Sequence, residues 1–307
     1  MWRAISSRIR PHPARAAIDI ELFAPCNLLS QRKRSGARMI WLNGEFLASD
    51  TTISANDRGL LLGEAVFETI LAKNNTPRQW PAHMERLWQA CALFGFATPY
   101  EASGLHAAAV ELLNQNKRTE KRAVIRITVT GGDGGRGLVP AVPAAPNWLM
   151  QATPAPTPPA HVSLSLSEVL QPAGQDLSPV KSTNYAAHIL ARRAAIANGA
   201  DDAVLVNQHG RVTGTTAGNI FVLQNRELIT PTTYEGALPG ITRARILALS
   251  QIEQWPISTG QVTRETLTQA SALVMCNAVM GVVPASLPPK EMPESENIAK
   301  KIRATLT

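Results

Sequence analysis

From Met39 onward the apolar positions switch repeatedly between a period of two and a helical period. Ile40-Trp41-Leu42 and Glu45-Phe46-Leu47 flank Asn43-Gly44, a pair suited to a two-residue turn, and predict a hairpin. Ala65 to Ala72 is an apolar, β-branched run that predicts a strand ending at Lys73-Asn74-Asn75. Between His83 and Phe96 the residues Met84, Leu87, Cys91 and Phe94 recur at helical spacing, and Leu105 to Leu113 also reads as helix. Ala123 to Thr130 predicts a strand entering the Gly-rich turn Gly131 to Gly137, and Asn147 to Ala152 a further strand. Thr153 to Pro159 holds four prolines, so it continues neither a helix nor a central strand. Beyond it the pattern predicts strands at Val162 to Leu166, Ala203 to Val206, Val212 to Leu223, Glu227 to Ile229 and Leu273 to Cys276. Helices are predicted from Ala186 to Asn198 and from Thr242 to about Glu253. The expectation is an α/β chain of two mixed-sheet domains: a small one over 39–153, a linker at 154–159 and a larger one over 160–307. No internal repeat appears.

Composition narrows the classes. The chain has 307 residues, 45% hydrophobic and 17% charged, which is a globular balance with length for a sizeable core. No run approaches the roughly 18 apolar residues of a membrane-spanning helix. Cys26, Cys91 and Cys276 lie far apart and form no CxxC pair, which argues against a disulfide scaffold or a cysteine-bound metal. The net charge of +7 suggests a nucleic-acid partner until it is located. Residues 1–38 carry eight basic residues against two acidic ones, leaving the body with 22 basic and 21 acidic. A basic binding face is therefore not expected, and no nucleic-acid partner is. The tail is read as not part of the mature protein, with Met39 as a natural start, or else as an organellar transit peptide. It is left out of the fold and expected to be poorly ordered.

The six histidines show no HExxH spacing. Gly131 to Gly137 lacks the GK[ST] ending of a phosphate loop and precedes no helix, so by itself it is a turn with one arginine, Arg136. More specific is Lys181-Ser182-Thr183-Asn184-Tyr185, followed by a helix and Gly199-Ala200-Asp201-Asp202-Ala203. This segment resembles the lysine segment of the class IV aminotransferases, the fold type IV pyridoxal-phosphate enzymes. Further elements resembling the family stand in order: Asp57-Arg58-Gly59, Gly63 to Thr69, His83 to Leu87, Val212 to Phe221 and Leu238 to Arg243. Gly134 to Gly137 and Cys276 to Val282 are most similar to 4-amino-4-deoxychorismate lyase, whereas the Lys-x-x-Asn-Tyr spacing is closer to an aminotransferase.

The resemblance implies a cofactor, pyridoxal 5′-phosphate, and a role for each matching residue. Lys181 is the expected Schiff-base lysine and proton shuttle. Arg86, the helix start at Ile241 and Thr242, and Asn277 are expected at the phosphate. Tyr185 is expected at the ring oxygen, and Arg136 and Thr69 at the substrate. The bland alternatives remain open: an exposed arginine on a helix, a satisfied asparagine, an arginine in a surface turn. Where the family ordinarily has a glutamate facing the pyridine nitrogen, this chain has Gly214, leaving only hydroxyls such as Thr215 or Thr216. A weaker electron sink handicaps transamination more than an elimination driven by aromatisation. The first expectation is therefore a lyase of folate biosynthesis that eliminates pyruvate from 4-amino-4-deoxychorismate. The alternatives are an aminotransferase for branched-chain or D-amino acids and a degenerate cofactor-binding member. A homodimer acting on a small amino substrate is implied, cytoplasmic and without metal or membrane.

Overall fold

Asn43 and Gly44 take φ of 51° and 101°, which closes the predicted hairpin of β1 (Met39–Leu42) on β2 (Glu45–Ala48). The protein is described by a computed structural model over residues 38–119, 121–135, 137–139, 145–174 and 180–306. The readings for the tail up to residue 37 and for Arg136 lie outside the described residues.

After β2 come α1 (Arg58–Leu62), β3 (Ala65–Lys73), β4 (Thr76–Pro77), α2 (Trp80–Phe94), α3 (Ala102–Gln115), β5 (Ala123–Thr130) and β6 (Asn147–Pro154). The six strands form one antiparallel sheet in the order β2-β1-β6-β5-β3-β4. Strand alternation divides its side chains. Val66, Ile70, Ile125 and Ile127 pack with Met84, Leu87, Leu105 and Leu112 of the two helices. Phe67, Thr69 and Arg126 turn to the other face, where Thr69 stands opposite Arg126. Helix α2 begins at Trp80, three residues before the predicted start, because Pro81 falls in its first turn where no N–H is needed.

Residues 155–161 lead to a second sheet. Its elements are β7 (Val162–Leu170), α4 (Ala186–Ala197), β8 (Asp202–Val206), β9 (Val212–Thr215), β10 (Asn219–Gln224) and β11 (Glu227–Pro231). There follow α5 (Ile241–Leu247), β12 (Gln251–Ile252), β13 (Trp255–Gly260), α6 (Arg264–Gln269), β14 (Ala272–Asn277), β15 (Gly281–Ser286) and α7 (Glu294–Leu306). The order is β12-β13-β11-β10-β14-β15-β7-β8-β9, with parallel pairs β11-β13, β15-β7 and β7-β8. Its central strands read as unbroken apolar runs because both faces are covered. Ile220 and Val222 join one core with Leu267 of α6, while Phe221 and Leu223 join another with Ile246 of α5 and Ile298 of α7.

Two predictions are corrected. Val212 to Leu223 is not one strand: Thr215 N–H donates to Gly218 O at 2.8 Å, and the turn separates β9 from β10. The helix expected to reach Glu253 ends at Leu247. Ser250 and Glu253 take φ of 58° and 51°, and Pro256 lies in the returning strand of the β12-β13 hairpin.

Candidate active site

The segment carrying Lys181 is fixed by backbone pairing to the free edge of β3. Phe67 N–H donates to Lys181 O at 2.9 Å, Thr183 N–H donates to Ala65 O at 2.9 Å, and Val66 bridges Ser182. This clamps the lysine beside Phe67, and its Nζ stands 4.3 Å from the centre of the Phe67 ring. Nζ donates to Tyr185 Oη at 3.0 Å. Tyr185, four residues on and just ahead of α4, meets Phe67 edge-on at 5.3 Å and stacks on His188 at 4.6 Å.

These groups border a cavity of about 730 Å³ between the two sheets. Thr69, Arg86, Lys181, Tyr185, Thr215, Thr216, Ile241, Thr242 and Asn277 all line it. The residues singled out from the sequence are thus brought together, except Arg136, which lies outside the described residues.

Arg86 enters from α2. Its Nε and Nη2 donate to the two oxygens of Glu68 at 2.7 and 2.8 Å, and Nη1 donates to Pro239 O at 2.8 Å. Glu68 lies on the helix-facing side of β3, 1% exposed, and also accepts from His83 Nδ1 at 2.6 Å. Burial opposes the charge on Glu68. The hydrogen bonds and charges of His83 and Arg86 outweigh it and hold the carboxyl below its ordinary value. The pair orients Arg86 while leaving one N–H on each terminal nitrogen. At the same end Gly240 starts α5 without a side-chain cap, and a Cβ there would lie 2.0 Å from Asn219 Oδ1. Asn277 serves its own turn: Nδ2 donates to Ala217 O at 3.1 Å, and Oδ1 accepts from Val279 and Met280 N–H.

Two cavity residues were missed in the sequence. Arg126 lies over Phe67, its guanidinium carbon 3.6 Å from the ring centre, and Nε donates to Thr128 Oγ1 at 3.2 Å. Among the described residues it has no carboxylate partner. Burial pushes it below the usual guanidinium value, opposed by the Tyr185 phenol. Strand alternation opposite Thr69 was the signal that could have found it. His188 is the second, one helical turn beyond Tyr185; its Nδ1 donates to Thr216 O at 2.9 Å. Thr215 and Thr216 do not offer free hydroxyl protons. Thr215 Oγ1 donates to Gly218 O at 3.3 Å, and Thr216 Oγ1 donates to the buried Asp202. At Gly214, a Cβ would approach Gly218 O to 2.8 Å, so the turn itself excludes a larger residue.

No Asp or Glu is among the described residues that line the cavity, whereas Arg86, Arg126 and Lys181 are. Such a site attracts ligands carrying more than one negative charge. The described residues also contain no group of three or more His, Cys, Asp or Glu side chains placed to hold a metal ion.

Comparison with known proteins gives the same direction. Residues 65–287 match the family model described as "Amino-transferase class IV". A Methanocaldococcus jannaschii protein named "Putative branched-chain-amino-acid aminotransferase" is 31% identical over 80% of this chain and 86% of its own length. An aminodeoxychorismate lyase of Vibrio harveyi is 26% identical over 81% of this chain and 90% of its own. The crystal structure of the Escherichia coli branched-chain amino acid aminotransferase superposes with a TM-score of 0.80 at 24% identity. It covers 87% of this chain and 93% of that one, and shows a shared fold.

Proposed function

Because the chain belongs to the class IV aminotransferases, which use pyridoxal 5′-phosphate, we propose that it is a lyase. It removes pyruvate from 4-amino-4-deoxychorismate and leaves p-aminobenzoate, a step of folate synthesis. The observation that carries this reading is the cavity around Lys181, lined by cations and by no carboxylate among the described residues.

The residues fit the cofactor. For the phosphate there are the two uncommitted N–H groups of Arg86, the remaining Nδ2–H of Asn277 and the N–H groups of Ile241 and Thr242. Lys181 would hold the aldehyde carbon, and Tyr185 the phenolic oxygen. When bound, the cofactor supplies a pyridine ring that accepts the electron pair left by a departing substrate proton.

The chain's own groups do the rest. Tyr185 Oη, accepting from Lys181 Nζ at 3.0 Å, aims the amine. Nζ removes the proton from the substrate ring and returns it to the departing enolpyruvyl group, which leaves as pyruvate as its C–O bond breaks. Arg126, unpaired above Phe67, receives one of the substrate's two carboxylates. Phe67, Val180, Leu205 and Leu238 supply apolar wall that limits water around the amine. Without a carboxylate at position 214 the ring is a poorer sink. Transamination needs a fully developed carbanion, whereas elimination is drawn forward by aromatisation.

A second reading, an aminotransferase for branched-chain or D-amino acids, is supported by the 31%-identical relative's name and by Arg126 as a receptor for a single α-carboxylate. A homodimer belongs to the proposal. Leu60, Leu61 and Leu62 of α1 are exposed beside Leu138 and Val139, the two segments being joined by Arg58 Nη1 to Gly137 O and Nη2 to Leu138 O. A second copy would cover this apolar surface. The cofactor-loaded protein should yield p-aminobenzoate and pyruvate in equal amounts from aminodeoxychorismate, and the Lys181→Ala protein neither. No product from loaded protein would overturn the lyase reading.

A further inference from the structure

His188 has no part in the steps above, yet it borders the same cavity, half-buried. Its Nδ1 donates to the carbonyl of Thr216, which fixes the tautomer of the neutral ring and leaves the Nε2 lone pair free. Among the described residues no side chain bonds Nε2. The ring is held parallel to Tyr185 at 4.6 Å, so it cannot swing away without breaking both the stack and the carbonyl bond.

The aldehyde carbon and the ring nitrogen of pyridoxal phosphate stand para to each other. With Lys181 at the aldehyde, the nitrogen points to wall that Lys181 does not supply. Residues 213–216 of the larger sheet, and His188 hung on Thr216, form such wall. The hydroxyl protons there are committed: Thr213 Oγ1 to Leu205 O at 3.4 Å, Thr215 Oγ1 to Gly218 O, and Thr216 Oγ1 to Asp202. Gly214 contributes nothing. His188 Nε2 is the one uncommitted nitrogen acceptor among these groups.

We propose that His188 Nε2 is the hydrogen-bond partner of the cofactor's ring nitrogen. This rests on the cofactor reading above. A neutral imidazole accepts from a protonated ring nitrogen, and an imidazolium donates to an unprotonated one; either way the pair shares one proton. The groups facing His188 are Lys181 and Tyr185 on the approach to α4, the Thr216 carbonyl, and Asp202 at the start of β8, itself bound by Arg192 Nη1 at 3.1 Å. Burial, aided by the Lys181 charge, lowers His188 from its ordinary value, against the Thr216 bond and Asp202. The shared proton is therefore given up as the pH rises, which weakens the sink in alkali.

The test uses the full-length protein loaded with ring-¹⁵N pyridoxal phosphate, with loading on Lys181 verified by borohydride reduction and peptide mass. The ring-nitrogen resonance should move with pH in wild type as the shared proton leaves. In His188→Phe, which keeps the stack, it should stay at the position of an unprotonated pyridine throughout. Superimposable titrations in the two proteins would overturn the proposal. If His188→Phe does not fold, wild type carrying ¹⁵N-histidine decides: His188 Nε2 and the ring nitrogen must titrate together, and separate titrations overturn it. Failure to trap cofactor on Lys181 would instead overturn the cofactor reading.

Discussion

Glu68 illustrates how a cavity residue can depend on one that never lines the cavity. It is buried, bridges His83 and Arg86, and holds the Arg86 fork at the Pro239 end of the cavity. Glu68→Gln should weaken cofactor binding about 10–100-fold, as removal of a buried charged hydrogen-bond partner does, measured by equilibrium titration of apoprotein. Its carboxyl lies below the ordinary value in the folded chain. The stability it contributes is therefore full above about pH 5 and lost as the pH falls through the folded value. Acid unfolding of Glu68→Gln should begin from a lower stability at neutral pH and fall less steeply below about pH 5. Arg126→Ala should raise KM about 10–100-fold for a substrate held by its carboxylate, with less effect on kcat. Lys181, Tyr185 and Arg86 were legible because their motif neighbours announce them. Arg126 and His188 were not. Their places at the cavity come from strand register and from a bond to a distant carbonyl, and neither leaves a local pattern. Asp57, picked out by the same resemblance, serves the scaffold: it accepts from Gly59 N–H, Thr130 Oγ1 and Asn147 Nδ2.

Elements were readable where one period ran long. The β1-β2 hairpin, β3, β5 and α4 follow from Asn-Gly, β-branched runs and helical spacing. The turn between β9 and β10 was hidden, since Thr-Thr-Ala-Gly inside an apolar run resembles strand until Gly218 brings the backbone back on itself. That close approach predicts the outcome of Gly218→Ala. The new Cβ would lie 2.7 Å from Cys276 O and 2.9 Å from Met275 Cε. The variant should unfold at lower denaturant and bind cofactor less tightly, because Thr216 and its hold on His188 ride on the same turn. Unchanged unfolding and affinity would mean that the turn adjusts freely. Short pieces such as α1, α6 and β12 escaped because they are too brief for any period.

Across the molecule, two sheets with their own buried clusters border one cavity, and the charge that the composition displays lies largely in the first 38 residues. Surface leucines on α1 beside Leu138 carry the expectation of a homodimer. Leu61→Asp with Leu138→Asp should shift sedimentation from dimer to monomer at micromolar concentration. The proposed lyase reading rests on a cavity around Lys181 that is lined by cations and, among the described residues, by no carboxylate. The most direct measurement is the partition in one cofactor-loaded sample, following p-aminobenzoate release and conversion of the bound cofactor to its amine form together. A lyase should release p-aminobenzoate from aminodeoxychorismate over many turnovers, with no amine form accumulating on challenge with leucine or D-alanine. Rapid conversion by either amino acid, with no p-aminobenzoate released, would contradict it.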